Sequence, residues 1–568
     1  MSNKTGRFAI IEQFLADGIT HMFGNPGTVE QGFLDALTEY PDMKYIMTLQ
    51  ETVALMTGDA FARATKKPAL IQVHSTPGLG NTIGAMYQAM RGHAPLVVIG
   101  GDAGLKFMPM EAQMFGNLVA FAKPVTKWST MVKDASSLLR TLRRAIKVAA
   151  TPPMGPVYVC LPADILDMPA VEEVMPTSIP STRVAPDEDF IKEAASLLAN
   201  AKKPMIFMGD GIAYSEAGEE LAKVAELIGA EVWGCDSGEL NISYDHPLYQ
   251  GQTGHMFGSS SRPITSKGDV NLVCGTYMVP EVFPEIGNIF ATGAKVIHID
   301  LNAYQIAQNH SVDLGVVSDP KLTLAKLAEA LDSTMTAQQK EAANARATEL
   351  SEEKNKKNEE QINADKAMRD DVPMHASRFM EELAAHLPDD VCIFDEALTC
   401  SPELNRYIPP TKPGQFLQTR GGSLGLGIPG ALGLKLAHPD KTVIGFTGDG
   451  GSMYTIQALW TAAHHNIGAK FVICNNQSYM LLKLNVMQYW KELGIEEHAF
   501  PNSFNLERPI IDFVALAQSM GVSGVKAEKP DEVGPAIRQA LSHDGPFLID
   551  LVVTSHAPGS KISCKCGQ

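Results

Sequence analysis

The sequence is most informative at residues 442–451, TVIGFTGDGG, and at residues 469–476, AKFVICNN. Each stretch is an apolar, strand-like run that ends in a polar turn, and 24 residues separate Gly450 from Asn475. This length accommodates the crossover helix that joins two parallel strands. Both turns then lie at the carboxyl ends of neighbouring strands, where open α/β sheets bind ligands. The two stretches therefore predict a doubly wound parallel sheet with a ligand site at this edge.

The two turns carry the atoms that a metal-bound diphosphate requires. Asp449 and Asn476 offer hard oxygen donors, and Gly450 and Gly451 allow the backbone to approach a phosphate closely. A Mg²⁺ ion usually binds through one or two carboxylates together with substrate phosphates. A Gly-Asp-Gly turn alone is equally consistent with a tight turn that binds nothing. Both turns together, at this spacing, favour a Mg²⁺–diphosphate site.

Further motifs occur in both halves of the chain. The N-terminal half contains residues 25–28 (NPGT), Glu51 between a strand-like run and a helical pattern, and residues 74–81 (HSTPGLGN). The C-terminal half contains residues 421–425 (GGSLG). Together with the Gly-Asp-Gly and Asn-Asn turns, these motifs resemble, in kind and in order, those of the pyruvate-decarboxylase-like enzymes that use thiamine diphosphate (ThDP). The resemblance extends along almost the whole chain and is strongest to the benzoylformate decarboxylases.

The resemblance implies a role for individual residues. Glu51 is expected beside the aminopyrimidine ring of ThDP, where it promotes loss of the thiazolium C2 proton. His74 is expected to transfer protons on the substrate, Thr28 to hold the substrate carboxylate, and Leu424 to act as the apolar wedge that bends the cofactor. The other implied cofactor-binding residues are Asn25, Pro26, Thr399, Gly422, Gly450, Gly451, Ser452, Asn476 and Tyr479, and the implied Mg²⁺ ligands are Asp449, Asn476 and the Ser478 backbone carbonyl.

Each of these residues also has a structural interpretation. A carboxylate at a strand-to-helix junction, such as Glu51, stabilises a helix start. Residues 28–31 (TVEQ) have the pattern of a capping box, in which the threonine caps the following helix. His74 follows a strand-like run and precedes a Gly/Pro-rich loop at residues 75–81, where a structural histidine also fits. Leu424 also fits a core leucine in a glycine-rich turn.

The chain departs from the benzoylformate decarboxylase pattern at two places. No second active-site histidine occurs near residues 277–283, where Val282 is the nearest aligned position, and His255 is the nearest alternative. After Asn476, bulky residues replace the small ones expected, and the tract 483–507 is long and rich in aromatic residues. This tract is interpreted either as a lid or as an amphipathic surface helix.

Length and composition restrict the fold and the partners. A chain of 568 residues is too long for a single core. The net charge of −17 argues against nucleic acid or an anionic membrane as a partner. We find neither a signal peptide nor an apolar stretch long enough to span a membrane, so a cytoplasmic location is expected.

The cysteine pattern is consistent with a reducing compartment. Cys160, Cys274, Cys392 and Cys474 lie singly in apolar runs and are interpreted as small core residues. The tail contains Cys564-Lys565-Cys566. This pair is interpreted either as a metal-binding or oxidisable site or, because no second Cys/His pair lies nearby, as an inert terminus.

Strand-like runs alternate with helical patterns throughout, which predicts three doubly wound α/β domains with parallel sheets. The predicted domains are an N-terminal pyrimidine-binding domain at residues 1–180, a middle domain at residues 188–335 and a C-terminal diphosphate-binding domain at residues 373–556. A charged segment at residues 336–372, either a solvated helix or a mobile linker, connects the last two, and residues 557–568 form a tail. The resemblance also implies a homodimer or homotetramer, with the cofactor between subunits.

Three functions remain open at this point. The leading one is non-oxidative decarboxylation of a 2-oxo acid to an aldehyde with ThDP and Mg²⁺. The second is a ThDP-dependent carboligase or 2-hydroxyacyl lyase that acts on a 2-oxo acid or aldehyde, which the missing second histidine favours. The third is a protein that binds ThDP without catalysis, which the presence of both Glu51 and His74 disfavours.

Overall fold

The computed structural model describes residues 4–235, 237–278 and 280–555. It contains three parallel six-stranded sheets flanked by helices, which confirms the predicted fold class. By their internal contacts the residues form two compact units. One unit comprises the chain up to residue 180, residues 371–401 and the chain from residue 419, and the other comprises residues 181–370 and 402–418. None of the described helices combines the length and the apolar character needed to cross a bilayer.

The N-terminal sheet lies within residues 21–162. Its strands are His21–Gly24 (β1), Lys44–Met47 (β2), Ala69–Val73 (β3), Leu96–Asp102 (β4), Trp128–Met131 (β5) and Val157–Pro162 (β6), in the spatial order β2-β1-β3-β4-β6-β5. Its helices are Gly6–Ala16 (α1), Gln31–Ala36 (α2), Glu51–Thr65 (α3), Ser75–Arg91 (α4), Leu118–Ala122 (α5), Leu138–Ala150 (α6) and Ala163–Leu166 (α7). The central strands β3 and β4 are buried along their whole length, as expected where helices cover both faces of a parallel sheet.

The middle sheet lies within residues 204–317. Its strands are Pro204–Met208 (β7), Glu231–Gly234 (β8), Tyr249–Gln252 (β9), Val270–Cys274 (β10), Lys295–Asp300 (β11) and Leu314–Val317 (β12), in the spatial order β12-β11-β10-β7-β8-β9. Its helices are Glu188–Ala199 (α8), Gly211–Ser215 (α9), Gly218–Ile228 (α10), Gly258–Thr265 (α11), Pro320–Thr334 (α12) and Ala337–Met368 (α13). One core joins α8, α10 and α12 to the sheet.

The C-terminal sheet lies within residues 392–552. Its strands are Cys392–Glu396 (β13), Phe416–Gln418 (β14), Val443–Gly448 (β15), Lys470–Asn475 (β16), Ser523–Ala527 (β17) and Phe547–Val552 (β18), in the spatial order β14-β13-β15-β16-β18-β17. Its helices are Ala376–Ala384 (α14), Ser401–Tyr407 (α15), Gly427–Ala437 (α16), Asp449–Ser452 (α17), Ala458–His464 (α18), Met480–Leu493 (α19), Phe513–Ser519 (α20) and Pro530–Ser542 (α21). Strand β15 pairs in parallel with β16, as the spacing of the two turns predicts.

The charged segment is a helix and not a mobile linker. Helix α13 spans 32 residues, and Thr336 and Gln339 cap its start reciprocally. Only Ala343 and Asp365 are buried along it, so most of its charged side chains are solvated.

Helix α3, which begins at Glu51, packs tightly against α16. The contact depends on Gly433, because a Cβ atom at this position would lie 2.1 Å from the carbonyl oxygen of Thr57. The backbones of the two helices therefore approach closely, and the start of α3 is fixed relative to the C-terminal sheet.

The cysteine predictions are confirmed for the described residues. Cys160, Cys274, Cys392 and Cys474 are buried free thiols. Cys564 and Cys566 lie outside the described residues.

Candidate active site

The carboxyl ends of β15 and β16 bring Asp449 and Asn476 together. The strands pair Gly448 with Cys474, so the residues that follow them leave the same edge of the sheet. The Ser478 amide donates to both side chains, at 3.1 Å to Oδ2 of Asp449 and at 3.0 Å to Oδ1 of Asn476. Asp449 also begins α17, and its Oδ1 atom accepts from the Gly450 amide at 2.7 Å. The two predicted metal ligands therefore share one backbone donor.

The electrostatics of this edge fit a divalent cation. Burial raises the pKa of Asp449 to about 6, although hydrogen bonds from the Gly450 and Ser478 amides act in the opposite direction. Among the described residues, no lysine or arginine forms an ion pair with this carboxylate. The Ser478 carbonyl accepts one bond, from the Met480 amide at 2.8 Å, and keeps a second lone pair. A buried, uncompensated carboxylate beside amide and carbonyl oxygens is the donor set that Mg²⁺ prefers.

The turn after β15 is shaped by small residues. Gly450, Gly451 and Ser452 are buried in α17. A Cβ atom on Gly450 would lie 2.4 Å from the ring of Tyr479, so this ring packs directly on the glycine backbone. A side chain larger than that of glycine would clash with this ring, so Gly450 is required by the close packing of Tyr479.

The tract 483–507 is a helix followed by a segment that returns to the turn after β16. Helix α19 ends at Leu493, and Trp490 stacks on Phe500 with 5.5 Å between ring centroids. The carbonyl of Phe504 then accepts from the Tyr479 amide at 2.8 Å. The tract is thus anchored at both ends beside Asn476.

Glu51 is the first residue of α3 and is almost completely buried, at 6% exposure. Its Oε2 atom accepts from the side-chain amide of Asn81 at 3.0 Å, and its Oε1 atom accepts from that of Asn25 at 3.5 Å. A Cβ atom on Gly78 would lie 2.8 Å from Oε1. Two asparagines and a glycine therefore surround the carboxyl group, which explains the glycine and the asparagine in residues 74–81.

The predicted loop at residues 75–81 is wrong, because α4 begins at Ser75. Proline is tolerated here because Pro77 lies in the first helical turn, where its missing N–H needs no partner. The glycines make room for neighbouring groups and do not break the helix.

His74 lies at the carboxyl end of β3 and contacts Glu30. The Nδ1 atom of His74 lies 2.8 Å from Oε2 of Glu30. Because an ionised carboxylate only accepts, Nδ1 carries the proton and Nε2 is left for other partners. Glu30 is buried and its Oε1 atom accepts from the Gly101 amide at 2.9 Å. Burial raises the pKa of Glu30, and the bond to His74 opposes this shift.

The turn at residues 25–28 covers this histidine. A Cβ atom on Gly27 would lie 2.0 Å from Nδ1 of His74, so only glycine fits. The predicted capping box is wrong, because Thr28 opens a short 3-10 helix with Gly27 at its N-cap, and no side chain caps it. Glu30 is turned inward to His74 instead. Pro26 and Thr28 are exposed.

The glycine-rich loop has a backbone that only glycine adopts readily. Gly422 and Gly425 have φ values of 73° and 95°. Leu424, which lies between these glycines, is half-buried, whereas Gly422 itself is exposed. Thr399 lies in the short 3-10 helix after β13 and is half-buried.

In segments that connect elements of the middle domain, the structure places the two alternative positions, His255 and Val282, side by side. The Val282 amide donates to the carbonyl of His255 at 3.0 Å, and both side chains are exposed. Sequence alignment alone does not reveal this pairing, because 26 residues separate the two positions in the chain.

The predicted site residues fall into two groups. The Glu51 cluster contains Asn25, Gly27, Glu30, Glu51, His74 and Asn81. The Asp449 cluster contains Asp449, Gly450, Asn476, Ser478 and Tyr479. Within the described residues, hydrogen bonds link members of each cluster but do not link one cluster to the other. No local sequence pattern identifies Glu30 as the partner of His74, and Asn81 is recognisable from the sequence only as part of a motif.

The comparisons with known proteins agree with this arrangement. The chain matches the models "Thiamine pyrophosphate enzyme, N-terminal TPP binding domain" over residues 4–119, "central domain" over residues 191–327 and "C-terminal TPP binding domain" over residues 398–551. The chain therefore belongs to the family of thiamine pyrophosphate-dependent enzymes.

Individual relatives carry two different activities in their names. The chain is 29% identical to "Probable acetolactate synthase large subunit" of Methanococcus aeolicus, over 98% of this chain and 94% of that protein. It is also 29% identical to benzoylformate decarboxylase of Pseudomonas aeruginosa, over 98% of this chain and 100% of that protein. Among solved structures, the ThDP-dependent 4-hydroxybenzoylformate decarboxylase of Rhodococcus jostii superposes with a TM-score of 0.84 at 25% identity, over 97% of this chain and 99% of that one.

Replacing Glu30 should impair turnover. In a Glu30→Gln variant the imidazole of His74 loses its charged partner, so its proton is less well positioned. We expect kcat to fall by about tenfold or more with little change in KM, because a proton-transfer group acts mainly on the barrier. Steady-state kinetics with Glu39→Gln, an exposed glutamate nearby, as the control would check this. An unchanged kcat would show that Glu30 does not support catalysis.

Proposed function

We propose that this protein decarboxylates a 2-oxo acid to an aldehyde with ThDP and Mg²⁺. The observation that carries the proposal is the bond between the half-buried His74 and the buried Glu30, with 2.8 Å between Nδ1 and Oε2. This pair presents the second imidazole nitrogen for proton exchange with a substrate. A protein that only bound the cofactor would not need such a proton-transfer group.

Each residue of the Glu51 cluster has its own role in the proposed reaction. ThDP, when bound, supplies an electron sink for the cleavage of the bond to the carboxylate. The Glu51 carboxyl group shares a proton with the aminopyrimidine ring and favours the tautomer that activates the cofactor. Asn25 and Asn81 hold this carboxyl group in place. The hydroxyl group of Thr28 holds the substrate carboxylate, and His74 exchanges a proton with the reacting carbonyl oxygen.

The Asp449 cluster anchors the diphosphate. A Mg²⁺ ion bound by Asp449, Asn476 and the Ser478 carbonyl would neutralise both the buried carboxylate and the phosphate oxygens. Gly451 and Ser452 offer backbone amides at a helix start, where an anion is favoured, while the Gly450 amide holds Asp449. Leu424, Gly422, Asn25, Pro26, Thr399 and Tyr479 complete the proposed cofactor surface.

We infer that one active site is formed by two chains. The Glu51 and Asp449 clusters of the same chain share no hydrogen bond among the described residues. Large apolar side chains are exposed near both clusters: Tyr87 and Phe121 in the N-terminal part, and Met453 and Tyr454 directly after α17. Exposed apolar groups of this kind mark interaction surfaces. A two-fold homodimer buries them and completes two equivalent sites.

A carboligase is the second candidate function. The identity to the M. aeolicus protein, named as an acetolactate synthase, equals the identity to benzoylformate decarboxylase. Both reactions begin with the same cofactor activation, so the Glu51 cluster serves either one. They differ in whether a proton or a second carbonyl compound is accepted after CO₂ has left.

Product analysis distinguishes the two reactions. We expect the wild-type protein to release CO₂ and free aldehyde from one or more members of a panel of 2-oxo acids. Added acceptor aldehyde should divert only a minor part of the product to a 2-hydroxy ketone. The measurement is the aldehyde to hydroxy-ketone ratio at fixed acceptor concentration, with Glu51→Gln as the inactive control. A product that is mostly hydroxy ketone would favour the carboligase, and the absence of CO₂ release from every acid would reject decarboxylation.

The metal site should respond to pH. Because the pKa of Asp449 is about 6, protons compete with Mg²⁺ for its carboxylate below that pH. Mg²⁺-dependent ThDP binding should be constant above pH 7 and should weaken on acidification, approaching about tenfold per pH unit well below the pKa. Calorimetry from pH 5 to 8 measures this. Excess Mg²⁺ should restore binding at low pH, and Asp449→Asn should bind weakly at every pH. Affinity that is independent of pH would exclude Asp449 as a ligand.

Complementation tests the two-chain site. Glu51→Gln and Asp449→Ala should each be inactive alone. In a mixed dimer, one site receives both defects and the other receives none. Random mixing should therefore restore about a quarter of the wild-type activity. Activity that stays at the level of the single variants, although mixed dimers are detected by mass spectrometry, would show that each site lies within one chain.

A further inference from the structure

Glu396 is a buried carboxylate to which the sequence analysis assigned no role. It is the last residue of β13 and is 1% exposed. Its Oε1 atom accepts from the Gly425 amide at 2.6 Å. Its Oε2 atom accepts from the Gly427 amide at 2.6 Å and from the hydroxyl of Thr447 at 3.0 Å. One side chain thus holds two points of the glycine-rich loop and one point of the neighbouring strand.

Without these hydrogen-bond donors, the buried site of Glu396 would be unfavourable for a carboxylate. Burial raises the pKa of Glu396 to about 7, and the three hydrogen bonds and a further one from the Leu426 amide act against this shift. No lysine, arginine or histidine among the described residues forms an ion pair with it. A buried carboxylate without a cation costs free energy unless hydrogen-bond donors satisfy it, so the bonds to Gly425, Gly427 and Thr447 are needed to hold Glu396 in place.

The glycine-rich loop needs an external constraint. Gly421, Gly422 and Gly425 have positive φ values, so steric restriction by Cβ atoms does not fix the backbone there. The Gly425 amide bound by Glu396 directly follows Leu424, the predicted wedge. The Gly425 carbonyl accepts from the Thr455 hydroxyl at 2.5 Å, so the next peptide group is held as well. The position of Leu424 therefore depends on bonds made by side chains outside the loop.

Glu396 also contacts the turn that carries Asp449. Thr447, its third donor, lies two residues before Asp449 in β15. A Cβ atom on Gly451 would lie 3.3 Å from the Thr447 hydroxyl and 3.9 Å from the carboxyl carbon of Glu396. The same carboxylate therefore lies beneath the loop and beside the Asp449–Ser452 turn.

We propose that Glu396 is a positioning residue that fixes the loop carrying Leu424 relative to the Asp449–Ser452 turn. The proposal rests on the proposed use of these two segments as the cofactor surface. With both segments fixed, the wedge and the diphosphate anchor have a defined separation before ThDP arrives. Binding then requires little ordering of the loop, which raises affinity.

Glu396→Gln tests the proposal with little change in size. An amide side chain has one acceptor oxygen, so it cannot accept from the Gly425 and Gly427 amides through separate oxygens. We expect the ThDP dissociation constant to rise at least about tenfold at saturating Mg²⁺, and exchange of the C2 proton of bound ThDP to slow by a similar factor. Calorimetry and proton exchange followed by NMR measure the two effects.

Asp210→Asn is the matched control. Asp210 is also a buried carboxylate that accepts backbone bonds, from the Gly238 amide at 2.9 Å and the Glu239 amide at 3.0 Å, but it lies after β7, at the start of α9. This variant should lose a comparable amount of thermal stability without any change in ThDP affinity or C2 exchange. If both variants weaken ThDP binding equally, general destabilisation explains the effect and the positioning role is wrong.

Thr447→Val provides a second test of the proposal if Glu396→Gln fails to fold. It removes the hydroxyl bond to Glu396, together with a weaker 3.4 Å contact to the Gly448 carbonyl, and keeps a side chain of similar size. We expect about a threefold to tenfold rise in the ThDP dissociation constant. Wild-type affinity in Thr447→Val or in folded Glu396→Gln would overturn the proposal. A wild-type protein that binds ThDP and exchanges its C2 proton but releases no CO₂ from any 2-oxo acid would instead overturn the proposed decarboxylation alone.

Discussion

Because β15 and β16 run parallel and pair Gly448 with Cys474, the residues that follow both strands leave the sheet at one edge. Asp449 and Asn476 meet there through the Ser478 amide, and the return of the tract 483–507 is anchored to the same turn. An antiparallel pairing would place the two turns at opposite ends of the sheet. The parallel direction of this strand pair is therefore what allows the proposed metal and diphosphate anchor to form.

Buried carboxylates at this site are accompanied by glycines. Gly78 makes room for Glu51, Gly27 for His74 and its partner, and Gly427 lies against Glu396. A buried carboxylate needs hydrogen-bond donors within reach. The backbone amide of a glycine can approach the carboxylate most closely because no Cβ atom is in the way. Such a glycine is required by the neighbouring acid and not by its own backbone angles.

The sequence predicts those parts of the site whose determinants are close together in the chain. The strand, turn and crossover around Asp449 and the junction at Glu51 follow from local pattern and were found. Glu30 and Glu396 were missed because their partners, His74 and Gly425, lie 44 and 29 residues away, and only the order of strands brings them together. The capping box at Thr28 failed for a related reason. The pattern pairs Thr28 with Gln31, which are close in the chain, but Thr28 opens a short 3-10 helix, and the neighbouring Glu30 bonds to His74, 44 residues away.

The two clusters differ in the partners of their buried carboxylates, and this difference fits the roles proposed for them. Glu30 bonds to Nδ1 of His74, which leaves the second ring nitrogen of His74 for another partner. Asp449 is buried without a cationic side chain among the described residues, and burial raises the pKa of its carboxyl group. The proposed Mg²⁺ ion would supply a positive charge beside it, and a cation that bound only the folded state would also stabilise that state by mass action. Glu51 is held by the side-chain amides of Asn25 and Asn81. In the proposed function, the Glu51 carboxyl group is therefore positioned before ThDP binds, whereas the Asp449 edge would gain its counter-charge only with the metal.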